Sequence, residues 1–152
     1  MAEETKRSGK KTWLVLAIVL VLALLLLRYV PTNFLPPKEE AFTLTASDVP
    51  ETMKVGETIT ISATLTCSPF RSFWVLSGFN TVEAAMCPEG VNYAQLDVAK
   101  MHYLPAGRHI TFTQTFTPEE PGEYIFYAVS DFSVGKTKYQ FALPEKTVTV
   151  TE

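Results

Sequence analysis

The sequence predicts an all-β antiparallel sandwich preceded by one N-terminal transmembrane helix. Two observations carry this. Residues 12–27 read TWLVLAIVLVLALLLL, with no charge, glycine or proline. Beyond residue 41 the apolar residues recur with period two, in short runs separated by proline and glycine. The chain has 152 residues, enough for one domain of ordinary size plus an appendage.

With Arg28, Tyr29 and Val30 the apolar run covers 12–30, a helix of about 28 Å at about 1.5 Å per residue. That suits a hydrocarbon core of about 30 Å, with Arg28 reaching back to the interface. Pro31 ends the helix. A cleaved signal peptide would have a shorter core and a small-x-small site, which RYVPTNFLPP lacks. A buried helix of a soluble domain is the other reading, and an apolar surface on every side with five or more leucines nearly in a row argues against it. An uncleaved anchor is expected. Lys6, Arg7, Lys10 and Lys11 precede it, against Arg28 and Lys38 at the other end. The positive-inside rule then makes 1–11 a cytoplasmic basic tail and puts the rest outside. The tail can also lie against anionic headgroups.

Residues 31–40 (PTNFLPPKEE) read as a short stiff linker, and 41–152 as the outer domain. Phe42 to Ala46 is a first strand. Thr58 to Cys67 is the clearest one: Ile59, Ile61, Ala63, Leu65 and Cys67 share a face, opposite threonines and a serine. Phe73 to Leu76 follows. Residues 91–103 can alternate as a strand through Ala94, Leu96 and Val98, while Val91, Ala94, Gln95 and Val98 fit a helix face. A strand is expected, because Tyr and Val are frequent and Pro105-Ala106-Gly107 can turn into the next strand as a hairpin. Arg108 to Phe116 places Ile110, Phe112, Gln114 and Phe116 together. Tyr124 to Ser130 is apolar on both faces, as a central strand would be. Thr137 to Leu143 and Thr147 to Thr151 complete the set, with a break at Pro144.

Here the residues carry a resemblance. Glu120-Pro121-Gly122-Glu123-Tyr124-Ile125-Phe126 resembles the start of strand F in immunoglobulin-like domains. The resemblance implies that Tyr124 is the tyrosine corner and that Phe126 stands where antibody domains have their second cysteine. It also implies that Trp74 is the core tryptophan of strand C, facing Ile61 or Ala63. Neither inter-sheet cysteine is present, so packing must hold the core. The match is to generic sandwiches of bacterial and archaeal surface or membrane-anchored proteins, and it implies a fold far more than a function.

The composition narrows the chemistry. From Lys38 on, eight Lys/Arg stand against fourteen Asp/Glu, a net of minus six. Such a domain repels phosphate backbones, so no nucleic-acid partner is expected. A blue-copper site could draw on His102, His109, Cys87 and Met86 or Met101, but their order does not fit the cupredoxin pattern. No CxxC or HxxxH spacing suggests zinc. No Gly-x-Ser-x-Gly elbow is present. Glu119, Glu120 and Glu123 read as a solvated turn, and Gly135-Lys136-Thr137 as a hairpin lacking the rest of a phosphate loop. No enzyme activity, cofactor, metal or small-molecule substrate is expected. The two cysteines, Cys67 and Cys87, are expected to form a disulfide, because the compartment is oxidising and their number is even.

The expected function is a non-catalytic protein-interaction module. It would be an accessory or structural subunit of a membrane or cell-surface assembly, with the bilayer and other membrane or surface proteins as partners. Phe70, Phe79, Tyr93, Tyr103 and Phe132 are the candidate contacts. Two alternatives remain. One is a pilin- or archaellin-like filament subunit, against which GKKTW lacks the usual cleavage site. The other, more remote, is a small copper or redox carrier.

Overall fold

The computed structural model of the chain describes residues 2–31, 35–67, 70–91 and 99–152. Helix α1 runs Ala2–Tyr29. Its segment Lys11–Tyr29, 19 residues, is long and apolar enough to cross a membrane. Large apolar side chains along it are exposed. The helix begins well before residue 12 because the preceding Glu, Lys and Arg are good helix formers and no proline interrupts them.

The rest is mostly β, in two open sheets. The strands are β1 (Phe42–Ala46), β2 (Thr52–Lys54), β3 (Ile59–Cys67), β4 (Phe73–Ser77) and β5 (Glu83–Pro88). They continue with β6 (Lys100–Leu104), β7 (His109–Phe116), β8 (Gly122–Val134), β9 (Thr137–Ala142) and β10 (Lys146–Thr151). One sheet has the order β1-β3-β7. The other has the order β2-β10-β8-β4-β6, with β5 and β9 also paired to β8. The β2–β10 pairing is parallel.

Strict alternation decides which faces meet. Ile61, Ala63, Leu65 and Cys67 of β3 are fully buried, and their intervening hydroxyls point away. Across the core stand Tyr124, Phe126, Ala128, Phe132 and Val134 of β8, with Phe73 and Val75 of β4. Each of the large side chains contributes about 1.5–3 kcal/mol by leaving water. Gln114 faces inward with them, and its amide donates to the Ala84 carbonyl of the opposite sheet at 2.7 Å. Buried Ser130 likewise donates to the Thr81 carbonyl at 2.7 Å.

Strand β8 is longer than the sequence predicts, because Ser130, Phe132 and Val134 continue its inward alternation. Its first half lies between β10 and β5, its second between β9 and β4. Strands β9 and β10 share one flank of β8 and part at Pro144, which has no N–H to give the ladder. Strand β5 occupies a segment expected as a loop. Its Glu and Ala are weak strand formers, and pairing with β8 supplies the order. Strand β6 confirms the end of the 91–103 strand, while residues 92–98 lie outside those described. The expected β6–β7 hairpin is not formed. Strand β6 pairs with β4 and β7 with β3, so the turn at 105–107 crosses between sheets.

Candidate functional site

The distinctive chemistry lies where the apolar helix meets the β domain. Ser72, just before β4, is 1% exposed. Its backbone N–H donates to the Arg28 carbonyl at 3.2 Å and its hydroxyl donates to the same oxygen at 2.7 Å. The same hydroxyl accepts from the Tyr103 hydroxyl and from the Ala106 N–H, each at 3.0 Å. A helix leaves its last carbonyls without partners, and Ser72 supplies one at the end of α1. One small side chain thus joins the helix, β4, β6 and the 105–107 turn.

Further contacts fasten the junction. The Arg28 guanidinium lies 5.4 Å from the Phe70 ring centre and 5.8 Å from that of Tyr29. Its Nη2 lies over Gly107, 3.4 Å from where a Cβ there would stand. Gly107 has φ +62°, which also favours glycine. Arg71 donates to the Leu35 carbonyl and Tyr139 to the Pro37 carbonyl, so the linker is held at two points. Tyr139 belongs to an aromatic box with Phe42, Phe132 and Phe141, in which Phe42 and Phe132 meet edge to face at 5.1 Å.

Two clefts flank Tyr103 and Pro105. One, about 380 Å³, lies at the junction and includes Arg28, Tyr29, Ser72, Ala106 and Arg108. The other, about 370 Å³, lies on the open side between β6 and β7, with His102, Ile110 and Phe112. The outer face of the larger sheet carries an apolar ladder: Trp74 opposite Tyr103 and Leu76 opposite Met101. All four are at least 41% exposed. The outer face of the smaller sheet is instead a hydroxyl ladder, with Thr60 opposite Thr115, Ser62 opposite Thr113 and Thr64 opposite Thr111.

The candidate contacts divide. Phe70, Phe79 and Tyr103 are exposed, and Lys100 sits over the Phe79 ring at 4.1 Å. Phe132 is not available to a partner: it is 1% exposed, inside the aromatic box. Tyr93 lies outside the described residues. Trp74 is not a core residue. Phe73 and Val75 take the inward positions, and in a strand of period two the residue between them must point out. Tyr124 is buried and donates to the Glu120 carbonyl at 3.1 Å, and Phe126 faces the core.

The expected Cys67–Cys87 disulfide is absent, and the register gives the reason. Cys67 is the partner of Phe42, whose ring touches Phe132 near the end of β8. Cys87 is the partner of Ile125 near its start. From Ile125 to Phe132 is about 23 Å at about 3.3 Å per residue. The two cysteines stand at opposite ends of the molecule, far beyond bonding range. Burial pushes the Cys67 thiol up to about 11, and burial also raises Cys87. Among the described residues no group of three or more His, Cys, Asp or Glu could hold a metal ion.

The Ser72 hub and the outward ladder leave no signal in the sequence alone. Ser72 reads there as one loop serine among many, and its role depends on contacts with residues 28, 103 and 106.

No protein-family model matches the chain. No curated protein matches it either. Among solved structures it is similar to a β-glucosidase from Listeria innocua, at 16% identity and TM-score 0.43, over 72% of this chain and 16% of that one. The same enzyme in complex with glucose gives 17% identity and TM-score 0.42, over 71% and 16%. The human CEP192 PapD-like domain 7 gives 13% identity and TM-score 0.44, over 80% and 93%. The chain thus spans about one sixth of the glucosidase. Likenesses this distant assign it no activity and no partner.

Proposed function

We propose that this chain is a single-pass membrane protein. Its outer immunoglobulin-like sandwich acts as a non-catalytic protein-interaction module within a membrane or cell-surface assembly. The observation that carries the interaction reading is the apolar ladder of Trp74, Tyr103, Leu76 and Met101 on the outside of the larger sheet. Contiguous exposed apolar patches are uncommon on monomeric soluble domains and mark contact surfaces. The hydroxyl ladder on the opposite side is what a solvated face requires, so one molecule carries both kinds of surface.

Three features support the immunoglobulin-like reading. The smaller sheet takes the order β1-β3-β7 against the larger one, β2 runs parallel to β10, and Tyr124 bonds back to residue 120 at the entry to β8. The anchor reading rests on the length and apolarity of Lys11–Tyr29. The orientation, with 1–11 in the cytoplasm, rests on the excess of Lys and Arg before the apolar segment.

Photo-crosslinking in native membranes tests the surface. A photoreactive residue at Leu76 or Met101 should yield discrete protein adducts, and one at Thr113 should not. Adducts of equal yield at all three sites, or none at Leu76 and Met101, would refute the ladder as the contact surface.

A further inference from the structure

The junction cleft has a chemistry of its own. We propose that it binds the phosphate of an anionic lipid headgroup. The proposal rests on the membrane-anchored reading, which puts Arg28 at the outer end of the spanning helix.

Arg28 and Arg108 both line the cleft, together with Tyr29 and Tyr103, and no carboxylate lines it. The Arg28 guanidinium is laid over Gly107, next to Arg108 in the chain, and both arginines line the one cleft. Neither forms an ion pair among the described residues. Two guanidiniums lining one cleft that holds no carboxylate suit a phosphate, which takes charge-assisted, bidentate hydrogen bonds from them. Arg71 and the Lys136 hairpin lie at this same end of the strands, together with Glu39 and Glu40 before β1, whereas Glu119, Glu120, Glu123 and Glu89 gather at the far end.

The full chain, purified in dodecyl maltoside, is titrated calorimetrically with short-chain phosphatidylglycerol, phosphatidylcholine or inorganic phosphate. Phosphatidylglycerol should bind more tightly than the other two. The R28Q/R108Q double variant should weaken it roughly tenfold or more, and R108K should fall between, because an ammonium keeps the charge and loses the fork. Arg28 meets Ser72 through its backbone carbonyl, so R28Q preserves that bond, and a matching thermal melt shows that each variant is folded. Equal affinity of wild type and double variant for phosphatidylglycerol would overturn the cleft as the site. Inorganic phosphate binding as tightly as phosphatidylglycerol would overturn the lipid assignment. Alkaline carbonate extraction of native membranes separates the two readings. Retention without headgroup binding sinks the cleft alone, and release sinks the anchor together with the lipid source.

Discussion

Burial holds the Cys67 thiol near a pKa of about 11 instead of 9.0, because a thiolate inside the core would lose its hydration. The raised value favours the neutral form in the folded state. Its stabilising effect is complete below pH 9 and is lost as pH rises from 9 to 11, since the unfolded chain releases the proton first. A loss on the order of 2 kcal/mol is expected across that window. Denaturant melts of the full chain at pH 8 and pH 10.5 should show it. Cys67→Ala should flatten the difference while lowering stability at both pH values through the cavity it leaves. A wild-type slope that survives the substitution would assign the effect to other groups. Thiol counting is the companion measurement. Native protein should react at Cys87, the more exposed cysteine, and unfolded, unreduced protein should show two thiols. A count of zero after unfolding would restore the disulfide and overturn the register that separates the two residues.

Among the elements, strand faces are legible wherever alternation is strict. Thr-Ile-Thr-Ile in β3 and Ile-Thr-Phe-Thr in β7 announce which side is buried, because period two leaves each side chain one choice of face. Strand β4 defeats the same reading. Phe73, Trp74, Val75 and Leu76 are all apolar, so composition cannot choose between two registers one residue apart, and the pairing with β6 and β8 does. Strands β2 and β5 carry little local signal and owe their order to β10 and β8. The helix–domain junction is equally hidden, since it gathers residues distant in sequence around Ser72. Ser72→Ala tests that junction. It leaves the Ala106 N–H and the Tyr103 hydroxyl without their acceptor and should cost about 1–3 kcal/mol. Hydrogen exchange on the full chain in detergent should speed up at residues 28–30 and 72 and stay unchanged at β10. Uniform change, or none, would remove Ser72 from its role as the joint.

At the scale of the whole molecule, the junction decides how the β domain stands on the helix. A linker of about ten flexible residues would let the domain wander by a few tens of Å. Instead Ser72 holds the helix end directly, and Arg71 and Tyr139 hold the linker. Trp74 lies two residues beyond Ser72, about 7 Å along β4. In the proposed orientation this is the depth of the headgroup layer, roughly 5–8 Å on each side of the hydrocarbon core, where Trp and Tyr are favoured. The chain has two tryptophans, so Trp13→Phe leaves Trp74 as a single reporter. In lipid vesicles, its fluorescence should be quenched strongly by a spin label on the headgroup and weakly by one deep in the acyl chains. Adding Ser72→Ala should weaken the headgroup quenching as the domain loosens. If Trp74 is quenched by neither label, the domain stands clear of the bilayer, and the seating of β4 on the helix end at the headgroup layer fails.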